Sequence, residues 1–208
     1  MRIIAGKFKG RNISTPKGLT TRPPTGRVKT ALFNIINSLL PDAVVIDLFS
    51  GSGSLGIEAI SRGARFCYFA EQDHHAISCL ERNIRTLGIS KCCRVWIGDI
   101  FEHLHWWLDE VLWKVNLVFI DPPFKTVAEW NWQQVQKKLF IPLVRKLSHD
   151  GIIILRCHRN ILLPSALEPL YVQQRRDYGK MSLIFMGLEH PEEQNHTNRH
   201  QRRKEKSI

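Results

Sequence analysis

The sequence predicts an α/β domain with a doubly wound sheet, on three observations. Apolar runs of strand length recur at residues 44–48, 66–70, 93–97 and 115–120, with helical patterns between them, as when buried strands are joined by helical crossovers. The first run breaks into a glycine-rich turn and then into a helical spacing of apolar residues, a βα unit. A chain of 208 residues that is 43% hydrophobic can also bury a substantial core. One main domain is expected over residues 26–190, between an N-terminal extension (residues 1–25) and a disordered basic tail (residues 191–208). No stretch is apolar enough to span a bilayer and no signal-peptide pattern is present, so a cytoplasmic protein is expected.

Residues 1–41 carry eight basic residues, Arg2, Lys7, Lys9, Arg11, Lys17, Arg22, Arg27 and Lys29, and no acid, within a formal net charge of +11 for the chain. Residues 42–190 are nearly balanced, with seventeen Lys and Arg against sixteen Asp and Glu. From Arg2 to Ile13, small and apolar residues alternate with basic ones around Gly6 and Gly10, the pattern of a short β-hairpin. A basic ribbon without one acid suits a polyanion better than plain solvation, and a phosphate backbone fits it. Arg2, Lys7, Lys9, Arg11 and Arg22 are the candidate contacts.

After a proline-stiffened loop, Val28, Leu32, Ile35, Ile36 and Leu39 have the spacing of an amphipathic helix and are expected in the core. Arg22, Thr25 and Arg27, at the loop and helix start, either face a site and meet a carboxylate there or face solvent; composition leaves both open.

The run Val44 to Leu48 leads into Phe49-Ser50-Gly51-Ser52-Gly53-Ser54-Leu55-Gly56, and Gly51, Gly53 and Gly56 satisfy G-x-G-x-x-G. Such a turn lets a ligand approach bare backbone. Glu71, twenty positions past Gly51 at the end of the next run, can accept from both ribose hydroxyls of a nucleoside. A pyrophosphate at this turn would be repelled by Asp47, four residues before Gly51. A sulfonium cofactor with an ammonium group is attracted instead, which favours S-adenosylmethionine over a dinucleotide. The plainer role for Asp47 is to tie the loop. Asp99, after the run Cys93 to Ile97, is either a helix N-cap or a contact to an adenine amine.

The fourth run, Val115 to Ile120, ends in Asp121-Pro122-Pro123-Phe124. Two prolines remove two backbone donors and fix φ, so the local carbonyls are expected to stand free as acceptors. A carboxylate beside free carbonyls can hold a flat amine, and the Phe124 ring can stack on the heterocycle that carries it, a contact worth about 1–3 kcal/mol per base. Elsewhere, residues 178–186 read as a glycine turn into a final strand, with Lys180 as a further candidate RNA contact. Trp130 and Trp132 lie just past this loop and are either packing or base platforms. The five cysteines lack zinc-site spacing and read as reduced core residues, and no metal is expected.

The Arg-Ile-Ile-Ala-Gly start, the segment Arg22 to Lys29, the loop Asp47 to Gly56 and Asp121 to Phe124, in this order and spacing over roughly residues 1–187, resemble the bacterial 16S ribosomal RNA guanine-N2 methyltransferases. The resemblance implies a class I methyltransferase Rossmann-like fold, with a mostly parallel seven-stranded sheet, helices on both faces and an N-terminal β-hairpin. It implies methyl transfer from S-adenosylmethionine to the exocyclic N2 of one guanine of 16S rRNA, presented on an assembling 30S subunit; separately, a monomer is expected. It assigns the cofactor to Thr25, Arg27, Asp47, Phe49, Ser50, Gly51, Ser52, Gly53, Glu71, Gln72, Asp99 and Ile100, and the target amine to Asp121, Pro122, Pro123 and Phe124. This chain departs from the family pattern at Gly26 and Thr30, where acids are usual. Two other readings remain: a DNA adenine-N6 or cytosine-N4 methyltransferase with the same Asp-Pro-Pro-Phe chemistry, and a non-catalytic RNA-binding assembly factor.

Overall fold

In the computed structural model, which describes residues 1–16, 26–164 and 167–188, the four apolar runs become the centre of one seven-stranded sheet. The strands are β1 (Val44–Leu48), β2 (Phe66–Glu71), β3 (Cys93–Ile97), β4 (Val115–Ile120), β5 (Leu147–His158), β6 (Tyr171–Tyr178) and β7 (Met181–Gly187). Their order across the sheet is β3-β2-β1-β4-β5-β7-β6. The strands β1 to β5 pair in parallel, and β7 is antiparallel to both β5 and β6.

The helices fall on both faces, and strand alternation explains why. Val44, Ile46 and Leu48 of β1, with Val118 and Ile120 of β4, pack against α4 (Ile100–Asp109), α6 (Trp132–Val135) and α7 (Ile141–Lys146). Val45, Leu117 and Phe119 point the other way, onto α1 (Gly26–Ile35), α2 (Ser54–Ser61) and α3 (His74–Leu87). Continuous apolar runs are what a strand buried on both faces requires. A short helix, α5 (Phe124–Ala128), follows Asp-Pro-Pro, and one π turn, Gln136–Phe140, joins α6 to α7.

One expectation needs correction. The apolar stripe of α1 is narrower than its spacing implied: Val28, Leu32 and Ile36 are buried, but Ile35 is 39% exposed, because the α-helix ends there and a 3₁₀ turn at Asn37–Leu39 redirects the chain. The N-terminal arm folds back on itself, with Ile3 N–H on Arg11 O at 3.0 Å, Gly10 N–H on Ile3 O at 2.9 Å, Ile13 N–H on Met1 O at 2.7 Å and an antiparallel bridge Arg2↔Asn12. Ile3, Phe8 and Ile13 belong to the same apolar cluster as α1, α2 and α3, so the arm buries its apolar half and leaves its basic half outside.

The arm docks through one buried acid. Glu58 of α2, fully buried, accepts from the backbone N–H groups of Ile4 and Ala5 at 2.9 and 3.0 Å, and pairs with Lys29 and Arg62, each at 2.9 Å. A buried carboxylate is tolerable only when its lone pairs are filled in this way.

Candidate active site

The sheet order reverses between β1 and β4, and ligands of open α/β sheets bind in the crevice beyond the strand ends at such a point. Both motifs found in the sequence sit there, since β1 runs into the glycine loop and β4 into Asp121, whose N–H donates to Leu48 O at 3.3 Å.

The glycine loop is a sequence of left-handed residues, with φ of 59° at Phe49, 56° at Gly51 and 82° at Gly53. Phe49 holds that conformation without being glycine, a strain of the kind stored at functional sites. Gly56 has a different reason: a Cβ there would lie 2.3 Å from the Phe69 ring and 2.5 Å from Cys67 Sγ, so its absence lets α2 pack on β2. Three acids surround the loop. Asp47, 1% exposed, accepts from Gly56 N–H through Oδ2 at 2.8 Å, so it does tie the loop. Among the described residues its Oδ1 has no partner, nor does the buried Ser50 hydroxyl. Burial pushes the Asp47 carboxyl well above its usual range; the Gly56 bond opposes this, and Asp121 and Glu71 nearby reinforce it. Glu71 accepts from Gly51 N–H through Oε2 at 2.7 Å and from Gln72 and Asp73 N–H through Oε1, tying the glycine loop to the end of β2.

Asp99 is the N-cap of α4, accepting from Phe101 N–H at 2.7 Å. It also lines a cleft of about 110 Å³ with Phe49, Glu71, Gln72, Gly98, Ile100, Phe101 and Thr126, so cap and wall are one residue. Phe101 and Thr126 escaped the sequence reading, although each stands within two positions of a residue it named. Trp130 packs against Phe49, Phe101 and Trp132 with ring centroids 6.5, 6.1 and 5.5 Å away, forming an aromatic wall.

At the second motif one carbonyl is free and one is not. Among the described residues the Pro122 carbonyl has no hydrogen-bond partner, whereas the Pro123 carbonyl accepts from Thr126 N–H at 3.0 Å and opens α5. The expectation of two free acceptors is corrected to one. Asp121 has a partner that the motif does not contain: Arg156 Nε of β5 binds its Oδ1, with both side chains largely buried. Burial raises the Asp121 carboxyl and the guanidinium pulls it back, the rise prevailing. The signal for Arg156 was present in the sequence as one cation inside the apolar run Ile152 to Cys157.

The basic candidates separate. The Lys7 N–H binds Ser61 O at 2.7 Å, at the end of α2, and the Arg11 guanidinium binds Thr86 O at 3.0 Å, near the end of α3. Both helices run back from the crevice, so the arm's tip stands about 10 Å along α2 from the glycine loop. Arg2 and Lys9 share that arm, where the Arg2 Nε binds Gly10 O. Lys180, in the β6–β7 turn, is at the crevice edge instead, because β5 and β6 both end opposite Met181. Arg159 binds Lys180 O through its N–H and, with Arg176, is exposed there. Arg27 is exposed at the start of α1. Arg22, Thr25 and the tail from 191 to 208 lie outside the described residues. Cys93 and Cys157 are pushed up by burial to about 12 and about 11, which makes them inert thiols, and no group of metal-ligating residues forms among the described residues. No helix among them is long and apolar enough to cross a membrane.

The family model described as "Conserved hypothetical protein 95" matches residues 1–187. The chain belongs to this family. It is 35% identical over 181 residues to "Putative rRNA methyltransferase YlbH" of Bacillus subtilis, an alignment covering 86% of this chain and 94% of that protein. It is 33% identical to "Ribosomal RNA small subunit methyltransferase D" of Haemophilus influenzae, covering 85% and 80%. The solved structure "Putative methyltransferase yhhF from Escherichia coli" superposes with a TM-score of 0.75 at 28% identity, covering 91% of this chain and 99% of that one. The family's fold is therefore the class I methyltransferase Rossmann-like fold, with the sheet and helices described above.

Proposed function

We propose that this protein transfers a methyl group from S-adenosylmethionine to the exocyclic N2 amine of one guanine in 16S rRNA, acting in the cytoplasm on the assembling small subunit. The observation that carries the reading is the placing of Asp47 and Asp121 at adjacent strand ends of the switch point, with the Asp47 Oδ1 and the Pro122 carbonyl unpartnered among the described residues. The relatives' names supply the substrate class, rRNA, and the name of the Haemophilus influenzae protein supplies the small subunit.

The residues fit the cofactor. Asp47 Oδ1 and Ser50 Oγ are buried polar atoms awaiting partners, and the ammonium end of a methionyl group is a donor for both. Glu71 faces the cleft where a ribose would sit, and Phe49, Ile100 and Phe101 offer apolar walls to an adenine, with Asp99 at the rim. When bound, S-adenosylmethionine supplies an electrophilic methyl on a sulfonium centre.

The chain's own task is to make a poor nucleophile attack. A guanine N2 lone pair is delocalised into its ring, and acceptors on both N–H groups favour the pyramidal, reactive nitrogen. Asp121 Oδ2 and the Pro122 carbonyl are the two acceptors. Holding amine and methyl in line supplies about 7–11 kcal/mol at most. As the nitrogen becomes cationic, Asp121 stabilises the charge and accepts the proton at Oδ2. The target base must leave its stack, and Phe124 and the aromatic wall are its candidate receivers. Arg159, Arg176 and Lys180 line the same edge and suit the phosphates flanking that base, and the arm's Arg2, Lys7, Lys9 and Arg11 suit more distant ones.

The test is transfer of labelled methyl to naked rRNA, 30S subunits and duplex DNA, with Asp121→Ala beside the unaltered protein. Label in 2-methylguanosine of 16S rRNA, abolished by Asp121→Ala, is expected. Label in DNA alone refutes the reading, and binding without transfer points to an assembly factor.

A further inference from the structure

Arg156 is a cation in a place that does not need one. Its strand lies between β4 and β7, it is 6% exposed, its neighbours Leu155 and Cys157 are fully buried, and its lateral partner on β7 is Leu183. Buried ion pairs are often no more stabilising than apolar residues of similar volume, so packing alone gives no reason for a guanidinium here. Its Nε reaches Asp121 Oδ1, and its Nη1 lies 3.2 Å from Met181 Sδ. Asp121 Oδ2 has no hydrogen bond among the described residues.

We propose that Arg156 is a positioning residue for Asp121: from β5 it holds Oδ1, keeps the carboxyl ionised, and so presents Oδ2 as an acceptor to the substrate amine. The inference rests on Asp121 being the amine acceptor of the proposed function.

The physical argument concerns donors and acceptors. An amine about to be methylated presents only N–H donors to the pocket, and a protonated carboxyl would add a competing O–H. Asp121 is buried, and the Asp47 carboxylate on β1 is close enough to oppose a second charge. Glu71 on β2 acts in the same direction on Asp47. Among the described residues, Lys29 on α1 is the cation that acts on Asp47, but it is bound to Glu58 on α2. Among the described residues Arg156 is therefore the group that favours ionised Asp121 through direct contact, and its attachment to a central strand fixes the carboxylate plane as well as the charge. A guanidinium suits both tasks, since its donors are held in one plane and it does not lose its proton.

The experiment compares Arg156→Met, which removes the charge, and Arg156→Lys, which keeps the charge without the fork, with Asp121→Asn, using labelled methyl transfer to 16S rRNA. With Arg156→Met, kcat should fall about ten- to hundredfold, the usual effect of losing a group that orients a functional residue. KM for S-adenosylmethionine should hold, and the acid limb of the kcat–pH profile should move to higher pH. Arg156→Lys should bring that limb most of the way back. A purely structural arginine would lower the folded fraction without moving the limb, so an unmoved limb overturns the proposal. Should Arg156→Met be too slow to profile, the Asp121 carboxyl is titrated by ¹³C NMR in folded protein, for which Arg156→Lys and Arg156→Gln are the fallback variants. An upward shift with Arg156→Gln is expected, and no shift overturns the proposal. If Asp121→Asn is fully active, the reading of Asp121 itself has failed; if it is inactive while the limb stays fixed, only the role of Arg156 has.

Discussion

Replacing Glu58 by alanine tests how the basic arm is tied to the domain. The carboxylate is fully buried between Lys29, Arg62 and the N–H groups of Ile4 and Ala5. Removing one member of a buried pair leaves the other uncompensated, at a cost of about 3–5 kcal/mol. For a chain of this size each kcal/mol moves Tm by about 2–4 °C, so a fall of about 6–20 °C is expected. Lys29 limits the loss. Burial already lowers its pKa from 10.5 against the pull of Glu58, and without that carboxylate it sheds its proton still more readily. The folded variant then binds fewer protons than the unfolded chain, so its deficit should shrink as pH rises. In the unaltered protein, burial would raise the Glu58 carboxyl, but Lys29, the Ile4 N–H and Arg62 outweigh it and hold the group below 4.5. Its stabilising contribution is therefore present above pH 4.5 and lost as pH falls through the lowered value. Calorimetry across pH 4–9 measures the deficit, and limited proteolysis at Lys7, Lys9 and Arg11 reports release of the arm. A Tm within about 2 °C of the unaltered protein, with the arm still protected, would refute the reasoning.

Asp47→Asn should raise Tm at neutral pH and above, because it removes a buried charge whose pKa burial has raised. The gain should fade as pH falls and the aspartate protonates, while calorimetry should find S-adenosylmethionine bound at least about tenfold more weakly, as expected where a site residue is costly to stability. Gly56→Ala gains about 1 kcal/mol of helix propensity, but its Cβ would meet the Phe69 ring and Cys67 Sγ below 3 Å. Overpacking at about 1–3 kcal/mol wins or breaks even, so no rise in Tm is expected, and a clear rise would show that α2 can slide on β2. Asn83 donates to both Ser14 O and Ser52 O, joining the arm to the glycine loop. Asn83→Asp loses both donations and should weaken cofactor binding, measured by calorimetry, although Asn83 does not line the cleft.

The strands were legible because burial on two faces demands continuous apolar runs, and the glycine loop because only glycine combines positive φ with close helix–strand contact, as Gly53 and Gly56 show. Asp121 was legible for a local reason too: two prolines end the ladder wherever they occur. The fate of each proline carbonyl was not, since Thr126 takes one of them only once α5 has formed.

By itself, then, the sequence determined which segments form the sheet, that an acid stands on each side of its switch point, and that the positive charge gathers in the first residues. Tertiary structure alone decided that Arg156 meets Asp121 across 35 positions, that Glu58 gathers two cations and two amides, and that the arm's tip is anchored at the end of α2. The physical reason is range: backbone preference and hydrophobic periodicity act within a few residues. Contacts between charges depend on strand order and register, which emerge only when the whole sheet closes its core.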